Sequence, residues 1–385
     1  RMKGDLFARI DDTIEPEPGD AVVEADGLFL LPGLIDAHVH TIGVEDNLRG
    51  LHRQPAYLVA AKAAKVLEDM LARGFTSVRD AGGADASLAA AVQRGLFRGP
   101  RIFVAGRGLA PPGGQGDFRA EGEDDMGCPC CGSTRSITRL VRGIDAIRAA
   151  VREEVAGGAA QIKVMASGGI ASPAGPEAPQ FQAEEIAAIV DEAGSAGLSV
   201  MAHAYGAEAI RRCVEAGVRS IEHGSGLDGP TAELMAARGA VLVPTLVVFD
   251  QVAKAGGPVG AIAARILDQS FASIETARRH GVAVGHRSDL EGSAHVHQSD
   301  EFRLKAEVMP ADDVIASATR VNATLLHGGA PRGVIKVGAA ADLTAFDADP
   351  LQSIEALSHP DRHLRIVIKD GGIAVDRRNQ PARPS

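Results

Sequence analysis

Short apolar segments alternate with longer amphipathic segments from about residue 30 to about residue 327. The short segments are rich in Val, Ile and Leu, which is typical of parallel strands buried on both faces. Several of the longer segments end at a glycine, a common helix terminator, and predict helices at Tyr57–Arg73, Ala183–Ala196 and Ala207–Ala216. Repeated strand–helix units predict an α/β fold with a closed TIM (β/α)8 barrel, whose strands are Leu28–Val39, Thr76–Ala81, Arg101–Gly106, Gln161–Ala166, Ser199–Ala204, Ser220–His223, Val241–Leu246 and Val282–Asp289.

The two ends of the chain carry a different pattern, in which short strands are separated by Gly-based turns. Residues 1–30 and 331–385 are therefore predicted to form one small β-sandwich beside a barrel at residues 31–330. The N-terminal share is short and the chain begins with Arg1, so we expect a strand or two of the sandwich to be missing. The C-terminal strands are expected at Gly333–Val337, Asp342–Phe346, Arg365–Lys369 and Ile373–Val375.

Composition narrows the possible partners. The 385 residues are 45% apolar, which suffices for one large barrel and a small second domain. A net charge of −10, no Trp and two Tyr argue against a nucleic-acid partner. No apolar run reaches the roughly 18 residues of a membrane span and no signal peptide is visible, so we expect a cytoplasmic protein without a membrane partner.

Two further segments are unusual. Residues 107–134 form a long Gly-, Pro- and acid-rich loop after the third strand, and such loops are commonly functional. Because it leaves the C-terminal face of the barrel, it is predicted to be a lid or substrate-binding loop, with disorder as the alternative.

The cluster Cys128, Cys130 and Cys131 has no usual zinc-ligand spacing, so these residues and Cys213 are predicted to be reduced thiols.

Histidines, one lysine and one aspartate mark the predicted strand ends. His38 and His40 are two residues apart on a strand, so both side chains point to the same face and can bind a divalent metal. Alone, this motif favours two histidines with satisfied hydrogen bonds in the core over a metal site. Lys163 lies within a barrel strand, where burying its charge is costly. It either extends its ammonium group to solvent, pairs with a buried acid, or is carbamylated by CO₂ to become an anionic metal ligand.

Three more residues extend this pattern. His203 and His223 end consecutive strands, and Asp289 ends the last strand. Each has a simpler reading as a core or capping residue. Taken together, one His-x-His, one Lys, two His and one Asp in this order indicate a metal centre at the mouth of the barrel.

This order resembles the binuclear branch of the amidohydrolase superfamily. The segment Leu31–His40 (LPGLIDAHVH) resembles the superfamily's opening signature, and residues 338–343 (GAAADL) resemble its trailing β-sandwich motif. Around residues 161–172, 201–206 and 220–224 the chain is similar to Xaa-Pro dipeptidases, lysine/arginine carboxypeptidases and ochratoxin-type amidases, and more distantly to imidazolonepropionases.

The resemblance implies a particular site. His38 and His40 would hold one metal and His203 and His223 the other, with carbamylated Lys163 and a hydroxide bridging them. Asp289 would ligate the first metal and transfer the proton. Two divalent ions are expected, with zinc the first choice, in a homo-oligomer.

Substrate contacts are less defined. Tyr205, beside a ligand, would donate a hydrogen bond to the substrate carbonyl or pack passively. His286 and Arg287 depart from the family pattern, which has small or aromatic residues before the aspartate. The substrate contacts expected besides Tyr205 are His295, Arg287, Arg107 and Arg135.

The resulting expectation is a hydrolase that cleaves the amide bond of an N-acyl amino acid or dipeptide with a free carboxylate on the leaving side. A lactonase or phosphotriesterase would use the same metals. A mononuclear deaminase or cyclic amidase would share the barrel, but the deaminase motif His-Ala-x-Glu is replaced by His-Ala-Tyr-Gly at residues 203–206. A barrel that serves only as a scaffold is the remaining alternative.

Overall fold

The computed structural model describes residues 1–119, 136–170, 172 and 175–379. Its strands are β1 Met2–Lys3, β2 Leu6–Phe7, β3 Phe29–Pro32, β4 Leu34–Val39, β5 Phe75–Asp80, β6 Arg101–Phe103, β7 Gly108–Ala110, β8 Thr138–Leu140, β9 Ile162–Met165, β10 Val200–Ala204, β11 Ser220–His223, β12 Val241–Val243, β13 Leu343–Phe346, β14 Leu364–Lys369 and β15 Gly372–Asp376.

The helices follow the strands as in an α/β fold. They are α1 Ala56–Ala72, α2 Ala86–Gln93, α3 Ile144–Ala156, α4 Ala183–Ser195, α5 Ala207–Ala216, α6 Gly229–Arg238, α7 Val247–Ala255, α8 Gly257–Arg279, α9 Asp300–Lys305, α10 Ala311–Ala316, α11 Glu355–Ser358 and α12 Pro360–His363, with 3₁₀ turns at Leu48–Arg53 and Gly292–His297 and a π turn at Ser317–Val321. Within the described ranges, no helix is both long and apolar enough to cross a membrane.

Two parallel sheets carry the predicted barrel strands. One has the order β4-β5-β6 and the other the order β12-β11-β10-β9-β7-β8. Residues 283–289 lie between β12 and β4: Leu242 N donates to Ala283 O at 3.0 Å, and Ala37 N donates to His286 O at 3.0 Å. This segment joins the edge strands of the two sheets through backbone hydrogen bonds, although only Val284 forms a ladder bridge.

Several predicted boundaries are confirmed. Strand Ser220–His223 and helix Ala207–Ala216 have the predicted bounds, and other elements differ by a few residues at their ends. The single strand expected at Leu28–Val39 is wrong, because the chain leaves one sheet for another at Gly33. A Cβ there would lie 2.2 Å from Thr76 Oγ1, so this crossing requires glycine.

Two other strand predictions are also wrong. Val282–Asp289 is not a regular strand, since its backbone is shared between two neighbours and Asp289 has a positive φ of 57°. Gly333–Val337 forms turns instead of a strand, with φ of 69° at Gly333 and a hydrogen bond from Ala339 N to Lys336 O.

Both termini contribute to an antiparallel region, as the pattern predicts. β3 pairs with β13 in a four-stranded sheet of order β15-β14-β13-β3, and β1 and β2 form a separate hairpin. Phe7 on this hairpin shares a buried cluster with Leu343 and Ile366 of the sheet. The complete β-sandwich and the domain boundaries stay predictions.

Candidate metal centre

One cavity of about 580 Å³ lies at the carboxyl ends of the parallel strands, the usual place for a site in such folds. All six sequence-predicted metal ligands line it: His38, His40, Lys163, His203, His223 and Asp289. The strand pairing explains part of this convergence. β10, which carries His203, pairs with β9, which carries Lys163, and with β11, which carries His223, and its Ala204 lies opposite His223.

The first group of donors is formed by His38, His40 and Asp289, whose ligand atoms all lie within 4.8 Å of one another. Asp289 Oδ1 is 3.0 Å from His38 Nε2 and 3.4 Å from His40 Nε2. His40 Nδ1 lies 3.0 Å from Gly82 O, to which it donates, leaving the Nε2 lone pair free for a metal. The arrangement fits one divalent cation.

A buried acid sets the orientation of His38. His38 Nδ1 lies 2.7 Å from Glu222 Oε2, and Arg79 Nη2 donates to Glu222 Oε1 at 2.7 Å. Burial alone would raise the pKa of Glu222, but Arg79 and His38 lower it well below its ordinary value. The carboxylate therefore stays ionised, accepts the Nδ1 proton and directs His38 Nε2 toward Asp289.

His203 and His223 form the second group, with ring centroids 4.4 Å apart. His203 Nε2 lies 2.7 Å from Gly168 O and donates to it, so its Nδ1 is available. His223 Nδ1 lies 3.2 Å from Thr245 Oγ1. Burial and the nearby Lys163 lower the pKa of His203 to about 3, which keeps this imidazole neutral, as metal binding requires.

Lys163 stands beside both groups and is 1% exposed. Mainly because of burial, its pKa falls to about 7. Across the part of the chain that the structure describes, its Nζ has no hydrogen bond or ion pair. A neutral, unpaired amine is the form that reacts with CO₂, so this environment fits the carbamate that the sequence predicts.

Two of the candidate ligands have unusual backbones. His223 and Asp289 have positive φ angles of 69° and 57°. For residues with a Cβ, such conformations cost about 1–3 kcal/mol each and tend to occur where surrounding contacts enforce them at functional sites. Here Asp289 N donates to His38 O at 3.1 Å, which ties the strained residue to β4.

Arg287 lies behind the ligands and does not line the cavity. It is fully buried, donates from Nη2 to Asp289 Oδ2, and places Nη1 3.4 Å from Glu222 Oε2. Burial alone would raise the pKa of Asp289, but Arg287 and His38 hold it well below its ordinary value. This position does not favour the predicted contact between Arg287 and a substrate carboxylate, while the neighbouring His286 stacks on Phe302, with ring centroids 4.2 Å apart.

The other predicted substrate contacts divide clearly. Tyr205 lines the cavity and stacks on His223 with centroids 4.7 Å apart; burial raises its pKa, so the phenol stays a hydrogen-bond donor. His295 lies outside the lining, with Nε2 3.0 Å from Gly43 O. Arg107 also lies outside it and pairs with Glu154 at 3.6 Å, and Arg135 falls outside the described residues.

Of the predicted lid, residues 114–118 line the cavity, while residues 120–134 fall outside the described ranges, as do Cys128, Cys130 and Cys131. The remaining cysteine, Cys213, is buried and free. Burial raises the pKa of its thiol to about 12, which makes it unreactive.

Residues 29–374 match the amidohydrolase family. The chain belongs to this family. The family and its solved members imply a TIM barrel, and its members generally bind divalent metals, in agreement with the donor group at His38, His40 and Asp289. The chain is therefore a hydrolase of the kind that acts on amide bonds.

Its similarity to individual amidohydrolases extends over nearly the whole chain. A prolidase crystallised with N-methylphosphonate-L-proline is 43% identical, with a TM-score of 0.92 over 97% of this chain and 93% of that one. A Xaa-Pro dipeptidase with methionine bound in its active site is 31% identical, with a TM-score of 0.84 over 97% and 93% of the two chains. Ochratoxinase from Aspergillus niger is 30% identical over 86% of this chain and 72% of its own length.

Sequence reasoning missed four charged residues of this amidohydrolase site. Glu222 and Arg79 form the support beneath His38. Arg49, in the 3₁₀ turn after β4, and Glu291, two residues after Asp289, line the cavity. Glu222 has a visible signal, an acid inside an apolar strand beside a ligand, whereas Arg49 and Glu291 resemble ordinary loop charges in the sequence.

Proposed function

We propose that this amidohydrolase uses two divalent metals to cleave the amide bond of an N-acyl amino acid or dipeptide that has a free carboxylate on the leaving side. The observation that carries the proposal is the meeting of two imidazole pairs, Lys163 and Asp289 in one cavity. His38, His40 and Asp289 would hold one ion. His203 and His223 would hold the other, with carbamylated Lys163 between them.

The metals, with zinc as first choice for these ligands, would activate water and polarise the scissile carbonyl when bound. Asp289 accepts the proton released during attack and returns it to the leaving amine. Its Oδ1 atom faces His38 and His40, so the carboxylate lies next to the donors that would hold the ion which activates the water. Tyr205 donates a hydrogen bond to the carbonyl oxygen as negative charge develops there.

The leaving-group carboxylate needs a cation within the cavity. Arg287 and Arg107 do not line it, but Arg49 does. Among the described residues the Arg49 guanidinium makes no ion pair, so it is available for a charge-assisted contact. The prolidase with a phosphonate of L-proline and the dipeptidase with bound methionine both contain ligands with a carboxylate of this kind.

The test compares an N-acyl amino acid with its C-terminal amide, in the native protein and in Arg49→Gln. Losing one charge-assisted contact costs roughly 1–3 kcal/mol, so kcat/KM should fall by about one to two decades for the amide. Arg49→Gln should erase the difference. Arg53→Gln, on the same turn but outside the cavity lining, is the matched control and should retain it.

Equal rates on the acid and the amide would contradict recognition of the carboxylate. Turnover of lactones or phosphotriesters without turnover of amides would contradict the proposed function itself. We also propose that the chain forms a homo-oligomer, which light scattering on the purified protein would test.

A further inference from the structure

Glu291 lines the cavity two residues beyond Asp289. Across the ranges that the structure describes, its side chain has no hydrogen-bond donor and no ion-pair partner. Withdrawing a carboxylate from water without a compensating contact is costly. The wall beside the metal ligands thus presents an acceptor that the protein itself does not satisfy.

The polar and charged side chains near Glu291 already have other partners. His40 faces Gly82 O and Asp289. Ser293 donates its N and Oγ to Asp46 Oδ1 at 2.7 and 2.9 Å. Lys62, near the same rim, pairs with Glu45 at 2.6 Å. Among the described residues no cationic side chain forms an ion pair with Glu291, so a positively charged group of a ligand fits this position.

We infer that Glu291 binds the free α-ammonium group of the substrate, so that dipeptides with both termini free are preferred over N-acyl amino acids. This inference rests on the proposed function. In a dipeptide the ammonium nitrogen is two bonds from the scissile carbonyl carbon, so its binding group must stand next to the metal ligands. Glu291 satisfies this requirement through its place in the chain beside Asp289.

The two charges on this rim then have complementary tasks. Arg49 follows β4 and Glu291 follows the 283–289 segment, and the loops that carry them are joined by the contact of Asp46 with Ser293. Arg49 and Glu291 do not pair with each other in the described structure. One can bind the carboxylate while the other binds the ammonium group, which orients the peptide bond between them.

A matched pair of substrates tests the inference: alanyl-leucine and N-propionyl-leucine, which differ only in the amino group. The native, metal-loaded protein should prefer the dipeptide by about 10–100-fold in kcat/KM, the usual value of a charge-assisted contact. Glu291→Gln should remove this preference through KM on the dipeptide and leave N-propionyl-leucine within about threefold. Glu45→Gln removes the same charge from the same rim outside the cavity and should retain the preference.

The outcomes are distinct. Equal kcat/KM on the two substrates in the native protein would overturn the inference without any variant. Parallel losses on both substrates in Glu291→Gln would also overturn it, because they would give Glu291 a role in the chemistry or the fold. Failure of the native protein to cleave either substrate would instead contradict the proposed function.

Discussion

Replacing Glu222 with glutamine tests the support beneath the metal centre. The carboxylate accepts hydrogen bonds from His38 and Arg79, each at 2.7 Å, and Arg287 Nη1 lies 3.4 Å from Oε2. Glutamine keeps the shape but carries one NH₂ donor in place of an oxygen. In either orientation the amide donor faces His38 Nδ1 or Arg79 Nη2 in a buried site, and Ser220 Oγ, which donates to Oε1 at 2.7 Å in the native protein, would have to reverse its role to accept it.

The expected magnitude follows from these contacts. Removing one partner of a buried ion pair typically costs about 3–5 kcal/mol, so the unfolding free energy of Glu222→Gln should fall by about that amount. Loss of the group that orients a ligating histidine typically lowers metal affinity about 10–100-fold. At about 1.4 kcal/mol per decade, the binding free energy should weaken by roughly 1.4–2.8 kcal/mol.

The assay combines urea unfolding of the metal-free protein with chelator competition of the loaded protein. Glu154→Gln is the control, because Glu154 is also buried and pairs with Arg139 at 3.1 Å, outside the cavity. The control should lose stability and keep its metal affinity. If Glu222→Gln keeps both its stability and its metal affinity, the reasoning about His38 is refuted.

Further predictions concern the metals and their chemistry. Elemental analysis should approach two ions per chain, and a value held at one after adding metal and bicarbonate would contradict a binuclear site. Because burial lowers the pKa of Lys163 to about 7, its amine is protonated below that pH and neutral above it. The uptake of CO₂ by the metal-free protein, followed by ¹³C NMR, should therefore rise through pH 7. Lys163→Ala should show no such uptake. In Asp289→Asn, kcat should fall about 10²–10⁴-fold with most metal retained, as rates and metal content would show. Tyr205→Phe should lower kcat by about tenfold with unchanged metal content, and an unchanged kcat would remove its role.

The convergence of the six candidate ligands could be predicted from sequence because five of them lie on a strand or directly after one, and Asp289 ends the segment between two strands. Apolar runs locate the strands, and parallel strands bring their carboxyl ends to one face. His38 and His40 share a side by the two-residue period of a strand. Little side-chain detail is needed for the six residues to converge.

The supporting contacts could not be predicted in this way. Glu222 reaches Arg79 across 143 positions of the chain and Arg287 across 65, so their pairing depends on the angle at which strands pack. The substrate role predicted for Arg287 depended on the same unknown. Arg287 and Asp289 are two residues apart, so a regular strand would place both side chains on one face. Residues 283–289 are not a regular strand and Asp289 has a positive φ of 57°, so the alternation does not hold there.

The two oxygens of Asp289 have different partners, and this division affects the order of metal binding. Oδ1 faces His38 and His40 at 3.0 and 3.4 Å, while Oδ2 accepts a hydrogen bond from Arg287. Arg287 thus fixes the carboxylate plane while leaving Oδ1 free for a cation. The same guanidinium lies 3.4 Å from His223 Nε2, where its positive charge repels a second cation. We therefore expect the position at His38 and His40 to bind its ion more tightly, and carbamylation of Lys163 to supply the negative charge that the second position needs.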